Sequence, residues 1–130
     1  MKIPTTLFAI SYFAHLGLCE GISFAAVYPP PYLPYKCKDV PIPTTFMFAA
    51  AGSQLWDNGG ACGRFYELHC LSPLGPGTKC TGQNIIVKII EGKVGYRAPM
   101  FSLSQTAGKK FYTGTGRVKI EWHEVGGQGW

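Results

Sequence analysis

Few side chains in this sequence could take part in acid–base or nucleophilic chemistry. Glu91 directly follows an apolar run at residues 85–90, and Ser102 lies in the segment Met100-Phe101-Ser102-Leu103-Ser104. His69 and His123 fall on segments that alternate like strands. A serine nucleophile needs an adjacent base and a group that orients that base, and no Gly-x-Ser-x-Gly motif is present. We therefore interpret both histidines as structural or surface residues.

The amino terminus has the pattern of a secretory signal peptide. Lys2 precedes an apolar run at residues 7–18, and Ser23 and Ala25 then form a small-x-small cleavage pattern. The run is shorter than the roughly 20 residues that a helix needs to span a bilayer. We expect residues 1–25 to be a signal peptide, residues 26–125 to be one folded domain, and residues 126–130 to be a flexible tail.

The cysteines indicate two disulfides. The chain has five, and removal of the leader takes away Cys19, which leaves an even number in a secreted protein. The spacing contains no Cys-x-x-Cys pair, which argues against a zinc site. Three pairings remain open for the four cysteines at positions Cys37, Cys62, Cys70 and Cys80.

The chain has a mild excess of basic over acidic residues. Its net charge is +5, and it stays at 11 − 6 = +5 once Lys2 and Glu20 leave with the leader. Lys109 and Lys110 are the only adjacent pair of cations, a pattern that does not favour nucleic-acid binding. Anionic surroundings such as acidic polysaccharide, or simply a solvated surface, fit this charge.

The elements that must position these groups are predicted to be strands. The chain has 17 glycines and 10 prolines, and its apolar runs have strand length. We predict strands at residues 45–50, 65–70, 85–90 and 117–123, a weaker one at 26–28, and short helical turns at 53–56 and 104–107. Residues 85–90 are apolar on both faces except at Lys88, as in the wall of a closed barrel or sandwich. The fold class is therefore all-β.

An ordered set of motifs resembles the family of plant natriuretic peptides and expansin-like domains, the family-45-endoglucanase-like domain of expansins. Its most specific piece is the block at residues 49–66, A-A-A-G-S-Q-L-W-D-N-G-G-A-C-G-R-F-Y. Other pieces are Ala26-Val27-Tyr28, Pro30-Pro31-Tyr32, Ile86-Val87-Lys88-Ile89-Ile90 and Leu103-Ser104-Gln105. The resemblance covers residues 26–125.

This resemblance implies a disulfide-stapled, six-stranded double-psi β-barrel like expansin domain 1 and barwin. It also implies that Cys37 pairs with Cys62 and Cys70 with Cys80. Relatives often carry a further cysteine pair just after the Val-Lys-Ile strand, where this chain reads Glu91-Gly92-Lys93-Val94-Gly95. A third disulfide is therefore not expected.

Hydrolytic relatives cleave glycans with two carboxylates on opposite sides of the scissile bond. The first family position matches Glu91, and the second, an aspartate in the family, matches Ser102. A serine hydroxyl has no proton to donate at neutral pH, so both positions are interpreted as vestigial and no catalytic residue is predicted. A weak lytic reaction on Glu91 alone remains as an alternative.

Aromatic side chains could pack on the apolar faces of sugars. We predict a candidate glycan groove at Tyr32 and Tyr96 with Glu91, and interpret Trp56 and Tyr66 as packing residues.

The resulting hypothesis is a secreted, non-enzymatic protein of the apoplast or cell wall, similar to plant natriuretic peptides, that signals in water and ion homeostasis and stress. The family's signalling region corresponds to residues 37–66. The expected partner is a cell-surface receptor, or a cell-wall polysaccharide if the protein is instead a binding or wall-loosening module. We expect a monomer without cofactor, metal, nucleic acid or stable membrane insertion.

Overall fold

The computed structural model describes residues 20–126 and shows a closed six-stranded barrel. The barrel strands are β1 (Glu20–Val27), β2 (Phe48–Ala51), β3 (Phe65–Pro73), β5 (Ile85–Gly92), β6 (Phe101–Leu103) and β8 (Val118–Val125). A separate two-stranded sheet joins β4 (Lys79–Cys80) to β7 (Tyr112–Thr113). The helical elements are α1 (Ser53–Trp56), a 3-10 turn (Asp57–Gly59) and α2 (Gln105–Phe111). The all-β fold predicted from the strand pattern is confirmed.

The strands follow the order β1-β6-β2-β5-β3-β8 around the barrel. Two neighbouring pairs are parallel, β1 with β6 and β2 with β5, and the other four pairs are antiparallel. The barrel closes where β8 pairs with β1, so the first and last described strands are neighbours.

The interior is filled by the inward-facing residues of every strand together with one face of α2. Tyr66, Phe101 and Trp122 pack edge to face or tilted, with ring centroids 5.4 to 5.9 Å apart. Ala107 and Phe111 of α2 close the barrel at one end. Ser104 begins this helix, since its side chain accepts a hydrogen bond from the Ala107 amide. The predicted turn at 104–107 is therefore the first part of a seven-residue helix.

A second buried layer lies on the outside of the barrel, under the loop of residues 28–46. Lys88 is buried here although its neighbours on β5 are apolar, and its Nζ donates to the Pro41 carbonyl at 3.0 Å. The Ser104 hydroxyl donates to the Phe46 carbonyl at 2.7 Å, and the Cys37 amide donates to the Ile90 carbonyl. The loop is thereby fastened to β5 and to the start of α2, and we call residues 28–46 the covering loop.

The disulfides join Cys37 to Cys62 and Cys70 to Cys80, the pairing that the resemblance implied. The first bridge ties the covering loop to the segment after the 3-10 turn, and the second ties β3 to β4. Among residues 20–126, no helix is long and apolar enough to cross a membrane.

The barrel begins earlier than the predicted domain boundary at Ala26. Strand β1 starts at Glu20, and the predicted weak strand at 26–28 is only its last part. Residues 1–19, which hold most of the predicted signal peptide, and residues 127–130 of the predicted tail lie outside the described part of the chain.

Candidate functional site

Glu91 and Ser102 lie in one row of residues on the outer face of the barrel. Ala50 of β2 pairs with Glu91 on one side and with Ser102 on the other, and Ser102 also pairs with Ala26 of β1. The alternate residues of β2 and β6 belong to the core, so the row points outward. Two strand spacings separate Glu91 from Ser102, or about 10 Å between Cα atoms. The structure therefore brings Glu91 and Ser102, the two residues singled out from the sequence, into one row.

Ser102 is closed off from solvent. It is 3% exposed, and Ala50 beside it is fully buried. The Ser102 hydroxyl is therefore not accessible to a substrate in this structure. The position offers neither a proton donor nor an open surface.

The Glu91 carboxylate is used to hold the covering loop. Its Oε1 accepts hydrogen bonds from the amides of Lys36 and Gly92, both at 3.0 Å, and the Lys36 ammonium lies 3.5 Å away. Only 12% of the Glu91 side chain is exposed. These interactions fasten residue 36 to the end of β5. Sequence reasoning missed Lys36, because it lies 55 positions away from its partner.

Tyr28 and Tyr32 lie at the start of the covering loop. The Tyr32 hydroxyl donates to the Tyr28 carbonyl at 3.0 Å and accepts from the Gln105 amide at 3.0 Å. The Tyr32 ring packs edge to face on Tyr28 and on Phe48, with both centroid distances at 5.0 Å. Burial raises the pKa of the Tyr28 hydroxyl, and the nearby charge of Glu91 raises it further. Tyr32 therefore bridges loop and helix rather than offering an open face to a sugar.

Tyr96 is placed differently. It is 93% exposed, and its described contacts are with Arg97, whose guanidinium lies 5.5 Å from the ring centroid and whose Nε donates to the Tyr96 hydroxyl at 3.2 Å. The three residues of the predicted groove thus have separate contacts: Tyr32 is part of the covering loop, Glu91 holds that loop at Lys36, and Tyr96 is on the surface.

The two histidines are on the opposite wall of the barrel, on β3 and β8. His69 Nδ1 lies 2.6 Å from the Asn84 side-chain oxygen, and His123 Nε2 lies 3.3 Å from a carboxylate oxygen of Glu67. Neither is on the strands that carry Ser102 and Glu91. Within residues 20–126, no group of three or more histidine, cysteine or acidic side chains is arranged to hold a metal ion.

A cavity of about 450 Å³ lies between the end of β1 and α2. Its lining includes Val27, Pro29, Gly108, Lys109 and Tyr112. The Tyr112 hydroxyl accepts a hydrogen bond from the Val27 amide at 3.2 Å. None of the residues that line the cavity is acidic, so it offers no carboxylate for glycan cleavage.

Comparison with known proteins places this arrangement in a family. The chain is 30% identical over 104 residues to an EG45-like domain containing protein of Citrus jambhiri, a match that covers 78% of this chain and 79% of the relative. The chain belongs to the EG45-like domain proteins. The EG45-like domain containing protein 2 of Arabidopsis thaliana is 32% identical over 68 residues, which is 52% of this chain and 51% of that protein. No protein-family model matches this EG45-like chain.

The fold of this EG45-like protein is that of an expansin domain. The crystal structure of an apo expansin of Clavibacter michiganensis superimposes with a TM-score of 0.58 at 20% identity, over 82% of this chain and 50% of the expansin. A mutant of the same expansin in complex with cellohexaose gives a TM-score of 0.55 at 19% identity, with the same coverage. The chain thus corresponds to about half of the expansin. The predicted double-psi β-barrel is confirmed.

Proposed function

We propose that this EG45-like protein is a secreted, non-enzymatic protein of the apoplast that signals to cells in water and ion homeostasis and stress, in the manner of plant natriuretic peptides. The observation that carries the proposal is the use of Glu91 to fasten the covering loop over a row in which Ser102 replaces the second carboxylate. Its expected partner is a cell-surface receptor.

Glycan hydrolysis is disfavoured by this row. The reaction needs one carboxyl group to protonate the leaving oxygen and another to activate water or attack. A serine at the second position removes a general-acid contribution of roughly two to four orders of magnitude in rate. A one-acid lytic reaction would rely on Glu91, whose carboxylate is engaged by Lys36 and Gly92 and mostly covered.

An extracellular location is supported by the chemistry of the cysteines. All four cysteines of the described residues are joined in disulfides, which persist in oxidising compartments. The leader-like pattern after Lys2 agrees with export. Together they favour an exported protein that acts at the cell surface.

A second candidate function is binding to cell-wall polysaccharide. The exposed ring of Tyr96, with Arg97 stacked on one side, offers an aromatic face to a sugar ring. The expansin of similar fold was solved with cellohexaose, which makes a glucan chain a reasonable first ligand to test.

A swelling assay tests the signalling function. The disulfide-intact protein is added to plant protoplasts, and their volume is followed over time. We expect a volume change that is lost when the same protein is reduced and alkylated, because the barrel needs its two bridges. No response from the intact protein would contradict the proposal.

Calorimetry with cellohexaose and with polygalacturonate, followed by product analysis, tests the alternatives. Binding that is lost in Tyr96→Ala but kept in Val94→Ala, a half-exposed neighbour on the same loop, would favour the wall-binding function. Release of sugar products that stops in Glu91→Gln would overturn the non-enzymatic assignment.

A further inference from the structure

The first barrel strand contains the residues on which the predicted leader would end. Residues Glu20 to Ala25 of β1 pair one by one with residues His123 to Val118 of β8. Ala25 is fully buried in the core, and Gly21 lies against the Trp122 indole so closely that a Cβ there would be 3.3 Å from the ring nitrogen. Six of the eight residues of β1 therefore close the barrel.

A mature chain that began at Ala26 would not contain this closure. Strand β8 would keep β3 as a neighbour on one side and would present an open edge on the other. Val118, Ile120 and Trp122, which are now at most 6% exposed, would lose their cover on that side. Leader removal precedes folding, so the accessibility of the bond in the folded protein does not matter. What matters is whether the product can close its barrel.

The cysteines set a second and independent limit. The chain has five, and the structure pairs Cys37 with Cys62 and Cys70 with Cys80. A leader cut before Cys19 would leave a fifth thiol without a partner in an oxidising compartment. A cut directly after Cys19 keeps the cysteines even and keeps every described pair between β1 and β8, from Glu20 to Ala25.

We propose that the leader is removed at the Cys19–Glu20 peptide bond. A signal peptidase requires small residues at the first and third positions before the bond. Gly17 and Cys19 meet this requirement for the Cys19–Glu20 bond, as Ser23 and Ala25 do for the Ala25–Ala26 bond. A signal peptidase hydrolyses the bond with one water molecule, leaving a carboxylate on Cys19 and an amine on Glu20. The mature chain keeps Glu20 and loses Lys2, so its net charge is 11 − 7 = +4.

This assignment rests on the proposed secretion, and one experiment separates the two. The full chain is expressed in plant cells, and the amino terminus of the protein in the medium is determined by mass spectrometry. Secreted protein that begins at Glu20 supports the assignment. Secreted protein with any other amino terminus overturns the assignment and leaves secretion intact, whereas a chain that stays in the cell with its leader attached overturns both.

A matched pair of substitutions identifies the bond that is used. Gly17→Gln and Ser23→Gln place the same large side chain at the third position before each of the two bonds. We expect Gly17→Gln to abolish the form that begins at Glu20 and Ser23→Gln to leave the position of the cut unchanged. The assignment is overturned if Ser23→Gln moves the cut and Gly17→Gln does not. This outcome can be read even if Ser23→Gln secretes poorly, since the amino terminus can be determined on little material.

Discussion

Glu91 and Ser102 are paired with opposite sides of the same residue, Ala50. In a hydrolase, two carboxylates at such positions would flank a sugar bond. Here one position carries a hydroxyl under cover and the other fastens a loop through Lys36. In this structure the Glu91 carboxylate holds Lys36, and the Ser102 side chain is buried.

Ser102→Asp tests whether water reaches the row of Glu91, Ala50 and Ser102. We expect a loss of about 3 kcal/mol in the free energy of unfolding at pH 7, because the carboxylate would be buried without a partner. Burial would raise the pKa of Asp in the folded protein above its unfolded value near 3.9. The loss should therefore be small below pH 4 and should grow as the pH rises.

Urea unfolding at pH 4 and pH 7 measures this dependence, and Ser102→Asn is the neutral control of the same shape. A Ser102→Asp protein as stable as Ser102→Asn at both pH values would mean that water reaches the row. Product analysis with cellohexaose should show no cleavage by either variant.

Tyr28→Phe tests the buried hydroxyl. Burial and the charge of Glu91 raise its pKa in the folded protein, whereas tyrosine in the unfolded chain titrates near 10. The stability from this group is fully present below pH 10 and is lost as the pH rises further. Between pH 8 and pH 10.5 we expect the wild type to lose more stability than Tyr28→Phe, by a difference on the order of 0.5 kcal/mol after allowance for partial solvent screening. Denaturant unfolding of both proteins at the two pH values measures the difference, and an equal loss would contradict the burial of the hydroxyl.

Gly92→Ala tests the packing at the end of β5. A Cβ on Gly92 would overlap the Trp56 ring, so the indole must move and we expect a loss of about 1–3 kcal/mol. Gly95→Ala is the matched control on the next loop, where a Cβ meets nothing within 4 Å, and it should change stability by less than about 0.5 kcal/mol. Thermal unfolding of the two variants compares them directly. Similar melting temperatures would show that Trp56 does not rest on Gly92.

Removal of each disulfide tests its contribution. The bridges close loops with sequence separations of 25 and 10 residues. By loop entropy, replacing Cys37 and Cys62 with alanine should cost about 3.5 kcal/mol, and replacing Cys70 and Cys80 about 2.7 kcal/mol. Denaturant unfolding of the two double variants should preserve this order, and a reversed order would show that the shorter loop is held mainly by contacts other than its bridge.

The sequence predicted those elements whose evidence is local. Residues 65–70 and 85–90 alternate or run apolar and lie in barrel strands, and the predicted strand at 117–123 is wrong only at Arg117, since β8 begins at Val118. Strand β1 was missed over most of its length because Ser23 and Ala25 fit a cleavage pattern, and its pairing with β8 joins residues about 100 positions apart. Glu91 and Ser102 were singled out from resemblance, while the contact of Glu91 with Lys36 depends on a loop without periodicity, and the burial of Ser102 depends on the tertiary fold.

The closing pair β1–β8 also determines when this protein can fold. Glu20 stands opposite His123, so the first described strand must wait for the last one to be made before the barrel can close. Such long-range pairing carries a large loop-closure entropy and makes folding slow. A chain that is still being synthesised therefore exposes the free edges of β1 and β3 until residues 118–125 have been made.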